Sequence, residues 1–344
     1  MPLSNAASCP LWANAGIFLV AGMMVWFAGV RLTRHVDAVA RRTGMTQAFV
    51  GMLLLGGITS LPEVANVTNA SIIGNPALAI NNLLGAVAIN MFLLAVADAW
   101  IGREAVTSIV VRPSTMMMAT LCMLTLVAVA AAVTLGDVGI MGFGAAGLLI
   151  GAISIGSFWL ATGYDARSPW SVEIRDREEK ETEKTESSIS LAGLWWRIAF
   201  YGALIFGAGY ALSQTGDAIA KQSGISSALV GFVFISAATS MPDLTTIVTS
   251  LRLHRPEMAF GQVFGTNFVN LSLIALGDAL FTGGPVINEL GRFEVVSALL
   301  GATLIGIFMV GLLEHRDRTV FKMGYDSATV ILLFGAGVGL LATL

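Results

Sequence analysis

Long apolar runs separated by short charged connectors dominate the chain. A helix needs about 20 apolar residues to cross a bilayer. Ten such runs can be read, at 12–31, 46–70, 77–99, 114–135, 139–162, 194–213, 225–251, 258–280, 293–313 and 324–344. They predict an all-α polytopic membrane protein, because helices satisfy their own backbone polar groups where water is absent. The connectors then alternate in charge. The first holds Arg31, Arg34, Arg41 and Arg42, and the third Arg103 and Arg112. The fifth carries Arg167, Arg175, Arg177, Lys180, Lys184 and Arg197. The seventh adds Arg252 and Arg255, and the ninth Arg316, Arg318 and Lys322. Only Lys221 and Arg292 of the 19 basic residues fall in even-numbered connectors. The positive-inside rule therefore puts the odd connectors in the cytoplasm and both termini outside, in a bacterial inner membrane or a plasma membrane.

Composition agrees with this pattern. The chain has 344 residues, 56% hydrophobic and only 12% charged, where a soluble domain carries about 25% charged. Of the charged residues, 13 lie between Asp165 and Glu186, inside the one long polar stretch, 163–193. That stretch is too short for a separate domain and reads as a solvated cytoplasmic linker. No basic patch supports nucleic-acid binding. Cys9 and Cys122 make neither a disulfide framework nor a metal site. His35, His254 and His315 fall in charged connectors and read as solvated loop residues. The N-terminus has no Lys or Arg before its first apolar run, unlike a cleaved signal peptide.

The two halves repeat at an offset of 180 residues. VDAVARRTGMTQAFVG (36–51) lies on GDAIAKQSGISSALVG (216–231), and ITSLPE (58–63) on ATSMPD (238–243). Between 31 and 100 there are 19 identities in 70 positions without a gap. Shared hydrophobicity alone would not pair Asp37 with Asp217, Pro62 with Pro242, Asn90 with Asn270 and Asp98 with Asp278. The expected division is a first repeat at 1–162, the linker, and a second repeat at 194–344. Five spans per half make the second repeat upside down relative to the first. Inverted repeats with interrupted helices mark secondary transporters, with the site near the midplane.

Acids inside spans are costly and functional by default. Two lie deep, Glu63 in span 2 and Asp243 in span 7, and they are repeat mates. Each follows a Thr-Ser pair and a proline: Thr59-Ser60-Leu61-Pro62-Glu63 and Thr239-Ser240-Met241-Pro242-Asp243. Proline lacks an N–H and opens the preceding turn, so spans 2 and 7 are expected to be broken. Carbonyls near Gly56 to Thr59 and Ser236 to Thr239 are then free to face a cavity. Carbonyl, hydroxyl and carboxylate oxygens are what a hard cation takes as ligands. Gly85 and Gly265 allow close helix packing, and Asn90, Asn270 and Thr266 add polar groups to spans 3 and 8. Plainer roles compete. A lone Ser or Thr often bonds a carbonyl one turn back, Asn can glue helices, and Asp98 and Asp278 read as solvated or capping. For Glu63 and Asp243 no Lys or Arg lies deep in a span to neutralise them, Arg31 and Arg197 standing at the ends of spans 1 and 6, so they must protonate or bind cations.

The motif G-x-[TS]-S-x-P-[ED], complete at 57–63 and repeated at 237–243 with Ala237 in place of its glycine, is followed by Gly85 to Asn90 and Gly265 to Asn270, and the pair resembles the alpha repeats of the calcium/cation antiporter superfamily, sodium/calcium exchanger type. The match covers 56–99 and 236–279. The resemblance implies that Glu63 and Asp243 hold Ca²⁺ with the carbonyls of Thr59 and Thr239. It implies flanking Na⁺ sites from the hydroxyls of Thr59, Thr239 and Thr266 and the carbonyls of Gly56 and Ser236. Ser60 and Ser240 complete the motif, Asn90 and Asn270 line the middle, and spans 1 and 6 slide as a gate. Asn81-Asn82 and Gly261-Gln262 depart from the usual Gly-Asn, Ala86 from the usual Ser, and Asn270 stands where some members carry a third acid.

The expected function is a secondary active antiporter exporting Ca²⁺ in exchange for Na⁺, with ions as substrates and no cofactor. An H⁺-coupled exchanger of the same fold stays open as the alternative. A cation channel fits inverted halves and broken helices less well. An intramembrane hydrolase would need a nucleophile and base near the acids, and no His, Lys or Cys is there. Nothing in the sequence predicts an oligomer.

Overall fold

A computed structural model describes residues 9–45, 47–72, 74–101, 113–140, 142–162, 190–222, 227–314, 319–320 and 323–344. Most of linker 163–193, His315 and the third connector lie outside them. Helices α1 (Leu11–Thr43), α5 (Pro76–Ile101), α6 (Pro113–Leu135), α8 (Leu191–Gln222), α12 (Pro256–Leu280) and α13 (Arg292–Glu314) are each long and apolar enough to cross a membrane over most of their length. The pair Gly231–Thr239 and Met241–Arg252 qualifies as one further bent span. Helices α7 (Ala145–Thr162) and α14 (Tyr325–Leu341) are shorter and apolar.

Burial separates the helices by role. The membrane-length windows of α5 and α12 are 83% and 67% buried, whereas those of α1 and α8 are 28% buried. So α5 and α12 form the centre, and α1 and α8 pack on each other at the periphery. The core around α5 and α12 is built from Leu83, Leu84, Val87, Met91, Phe260, Val263, Phe264 and Phe268, with α6 and α13 alongside. Two interrupted helices lie against the centre. The first runs α2 (Gln47–Val50), a π-helical turn at Gly51–Gly56, α3 (Gly57–Thr59) and α4 (Leu61–Ile72). The second runs α9 (Ser227–Leu229), a π-helical turn at Val230–Ile235, α10 (Ser236–Thr239) and α11 (Met241–Arg252). The π turn at 51–56 packs on α12 and the one at 230–235 on α5.

Glycines set how closely these elements approach. A Cβ on Gly265 would meet the Met52 backbone, with Cα at 2.6 Å. On its mate Gly85 it would meet the Phe232 carbonyl group, with the carbonyl carbon at 2.8 Å. Each central helix thus touches a π turn backbone to backbone.

Two antiparallel hairpins appear, one where the sequence suggested a plain helix start and one in the connector ahead of span 324–344. β1 (Gly139–Ile140) pairs with β2 (Phe143–Gly144), and β3 (Thr319–Val320) with β4 (Met323–Gly324). They stand 180 residues apart, so span 139–162 is helical only from Ala145. Their ends are tied to the partner half of the chain. Asp278 accepts the Gly144 N–H at 2.6 Å and the Val286 N–H at 2.7 Å, and Asp98 accepts the Gly324 N–H at 3.0 Å. Both aspartates are buried, so of the two expected roles capping holds and solvation does not.

Other residues also differ from their sequence reading. Helix α1 runs on to Thr43, well past residue 31, because its polar last turns still pack, with Leu32, Val36 and Val39 buried. There Asp37 pairs with Arg41 at 3.2 Å and Arg255 at 3.3 Å. His35 is buried rather than solvated and stacks on Tyr201 of α8. His254 is exposed as expected, and Cys122 is packed in the core. Asn81 turns away from the centre to donate to Glu294 at 2.8 Å, a buried acid at the start of α13.

Candidate cation site

The two interrupted helices place the acids. Ser60 (φ −81°, ψ −2°) and Ser240 (φ −84°, ψ 3°) leave helical geometry, whose ψ is about −42°. At Ser240 the axis turns by 53°. Pro62 and Pro242 then sit at the start of α4 and α11, where a missing N–H breaks no bond. Glu63 and Asp243 follow in the first turn, where the positive end of the helix dipole favours a negative charge.

Every expected ligand residue is buried, and the acids come together across the two halves. Glu63 and Asp243 are close enough for their charges to repel. Thr59 of the first half approaches Asp243, and Thr239 of the second half approaches Glu63 outside hydrogen-bonding geometry. Both Glu63 carboxylate oxygens and Oδ2 of Asp243 have no hydrogen-bond partner among the described residues. Asp243 Oδ1 differs. It accepts from Gln262 Nε2 at 2.8 Å and faces the Thr266 hydroxyl at 3.4 Å. Thr266 also lies 3.3 Å from the Thr59 hydroxyl. Asn90 donates to Asn267 at 3.2 Å, while both polar atoms of Asn270 lack partners.

The backbone-bonding roles weighed for the hydroxyls are present too. Thr59 donates to Leu55 O at 2.9 Å, Ser60 to Gly56 O at 2.7 Å, and Thr239 to Ser236 O at 3.3 Å. The Gly56 carbonyl is therefore crowded rather than free: the Ser60 N–H reaches it at 3.2 Å and the Thr266 hydroxyl at 3.5 Å. Ser236 Oγ donates to Asn82 O at 2.9 Å and to Gly231 O at 2.8 Å. The hydroxyl of Ser240 has no partner.

The sequence reading passed over three polar residues at the centre: Asn82, Gln262 and Asn267. Asn82 and Gln262 were visible as departures from a motif, but their spacing carries more. Asn82, Ala86 and Asn90 lie at i, i+4 and i+8 on α5, and Gln262, Thr266 and Asn270 repeat this on α12. Such spacing puts each triplet on one face of its helix. Asn267 has no signal in the repeat, because its mate is Val87.

Chemically this is a buried cluster of oxygens around two carboxylates. No Arg or Lys pairs with either acid among the described residues. Those residues also hold no group of three His, Cys, Asp or Glu that would cage a resident metal. A buried charge of −2 without a cation is costly, so the arrangement suits a cation that comes and goes.

The interrupted helices, crossed acids and central oxygen cluster define a membrane cation antiporter. The sequence matches the family described as Sodium/calcium exchanger protein over residues 13–164 and 193–342, and the chain belongs to that family. It is 24% identical over 313 residues to the putative antiporter CaxA of Alkalimonas amylolytica, covering 88% of this chain and 93% of that one. It is 25% identical over 270 residues to the inner membrane protein YrbG of Escherichia coli (strain K12), covering 78% and 80%. The sodium/calcium exchanger MaX1 of Methanosarcina acetivorans matches over 135 residues at 25% identity, 38% of each chain. A structure of the sodium-calcium exchanger NCX_Mj, soaked with 100 mM Na⁺ and 10 mM Sr²⁺, shares the fold with a TM-score of 0.68 at 16% identity, covering 96% of this chain and 99% of that one.

Proposed function

We propose that this protein exports Ca²⁺ in exchange for Na⁺, by alternating access around Glu63 and Asp243. The pairing of these two buried carboxylates from opposite halves, without an Arg or Lys partner among the described residues, carries the reading. Ca²⁺ and the coupling ion need the same oxygens, so they take turns. A site of charge −2 matches one Ca²⁺ or two Na⁺, and the carrier crosses the membrane loaded because the unloaded site is costly in lipid.

In this reading the ligands are the carboxylates of Glu63 and Asp243 and the oxygens of Thr59 and Thr239. Ser60, Ser240, Thr266, Asn90, Asn270, Gly56 and Ser236 surround them. The chain divides at 1–162, 163–193 and 194–344 into two inverted five-span repeats and a cytoplasmic linker, with both termini outside. The charge asymmetry of the connectors and the recurrence of π turns, breaks and hairpins 180 residues apart support this topology. Coupling to H⁺ is the second reading, because two carboxylates hold two protons as readily as two Na⁺.

The deciding experiment measures ⁴⁵Ca²⁺ movement in proteoliposomes under an Na⁺ gradient, a pH gradient, or neither. Exchange driven by Na⁺ alone is the expected result. Exchange driven only by the pH gradient would replace Na⁺ with H⁺, and Ca²⁺ passage without any counter-gradient would make the protein a channel.

A further inference from the structure

We propose that Gln262 is a specificity-determining residue. It ties down one of the four oxygens of the acid pair, so that Asp243 meets a cation through a single oxygen and large divalent ions are held loosely enough to leave. The inference rests on the central site proposed above.

The amide of Gln262 is fully buried on α12, one turn before Thr266, with Nε2 2.8 Å from Asp243 Oδ1. A carboxylate oxygen only accepts, so the group facing it at that distance is the amide nitrogen. The other end of the amide, Oε1, has no partner among the described residues. Leaving a buried amide oxygen unpaired costs free energy. Among the described residues the bond to Asp243 is thus the one hydrogen bond this amide makes.

The second half alone has this device. Asn82, the repeat mate of Gln262, engages Ser236 through its backbone carbonyl, with its Oδ1 3.4 Å from the Ser236 hydroxyl. Both oxygens of its would-be acid, Glu63, remain without a donor. Among the described residues three carboxylate oxygens therefore accept no hydrogen bond and one accepts an N–H.

The consequence follows from coordination. Ca²⁺ takes about 6–8 oxygens and often grips a carboxylate through both. An N–H beside Oδ1 repels a cation there, so Asp243 is restricted to Oδ2. Small monovalent ions that use fewer oxygens lose less. The same N–H partly satisfies Asp243 while cargo is exchanged, which lowers the barrier to release. Affinity for Ca²⁺ is reduced and turnover is raised.

The test uses the full chain in lipid nanodiscs and proteoliposomes, with Gln262→Met, which keeps the volume and loses the N–H, and Gln262→Asn, whose shorter side chain cannot reach Oδ1. Calorimetric titration with Ca²⁺ should show about tenfold tighter binding in either variant, the lower end of what a hydrogen bond to a charged group contributes. The maximal ⁴⁵Ca²⁺ exchange rate should fall while the half-saturating Ca²⁺ concentration also falls. A purely structural role would weaken binding, so unchanged or weaker binding overturns the proposal. Ca²⁺-induced infrared difference spectra supply a reading on the unaltered protein. The Asp243 carboxylate bands, assigned by their shift on ¹³C-labelling of aspartate and told apart from Glu63 by that label, should show the wide splitting of one-oxygen coordination, and a narrow two-oxygen splitting would refute it. If the unaltered protein neither binds nor exchanges Ca²⁺, the central-site reading itself fails, which is a separate result.

Discussion

Gly265→Ala asks how tightly the site depends on backbone contact between α12 and the π turn at 51–56. The added Cβ would stand 2.6 Å from Met52 Cα and 2.9 Å from its carbonyl carbon. Carbon atoms prefer about 3.5–4.0 Å, so the two elements must part by roughly 1 Å. The obstacle is backbone, which cannot rotate aside. Overpacking of this kind costs about 1–3 kcal/mol. The same displacement carries Gly56 and Thr59 away from Thr266 and Asp243, where a misplacement of about 1 Å can cost two orders of magnitude in rate. Gly85→Ala repeats the experiment in the other half, against Phe232. Gly207→Ala is the control, since a Cβ there meets nothing within 4 Å and alanine favours the helix. Thermal unfolding in detergent and ⁴⁵Ca²⁺ exchange in proteoliposomes report the two effects. Gly265→Ala should lose stability and most of its exchange, and Gly207→Ala neither. A Gly265→Ala protein that matches the control in both assays would refute the argument from close approach.

Glu63→Gln and Asp243→Asn should each abolish Ca²⁺ exchange in a correctly inserted protein, and wild-type-like flux in either would remove the central claim. Ala86→Ser adds one oxygen beside the site and should lower the Na⁺ concentration for half-maximal exchange; an unchanged Na⁺ curve would show that this flank binds no Na⁺. Asp278→Asn keeps the shape but loses a charged acceptor for the Gly144 and Val286 N–H groups, which should cost about 1.5–3 kcal/mol in unfolding measurements; an unshifted melting curve would show that the cap is dispensable.

The helical, membrane-embedded character and the acid motif were legible because each rests on a local signal. Apolar runs give the helices, and Pro62 and Pro242 mark breaks because proline belongs in the first turn of a new helix. The π turns were not legible, because they exist to fit Gly51 and Gly56 against the backbone of α12, a contact far away in sequence. The first hairpin was hidden inside an apolar run, since Gly139–Ile140 and Phe143–Gly144 run straight into the apolar helix they precede, and the second falls in the charged ninth connector, where no strand pattern shows. Asp98 and Asp278 looked peripheral because their partners, Gly324 and Gly144, belong to the opposite half. Gln262 looked like a flaw in a motif, and only the position of Asp243 shows what its amide does.

The crossed aspartates bear on the order in which the protein can be made. Gly144 leaves the ribosome long before Asp278, which follows it by 134 residues. Until then the hairpin that starts α7 has a backbone N–H without its acceptor, inside or beside the bilayer. In return, Asp98 waits for Gly324, 226 residues later. The first half therefore inserts before it can finish folding, and the last step of its assembly is set by the synthesis of the second. Neither half supplies its own final cap. If the halves descend from one duplicated gene, the ancestral product would have needed a second copy of itself in the membrane to complete the same bonds.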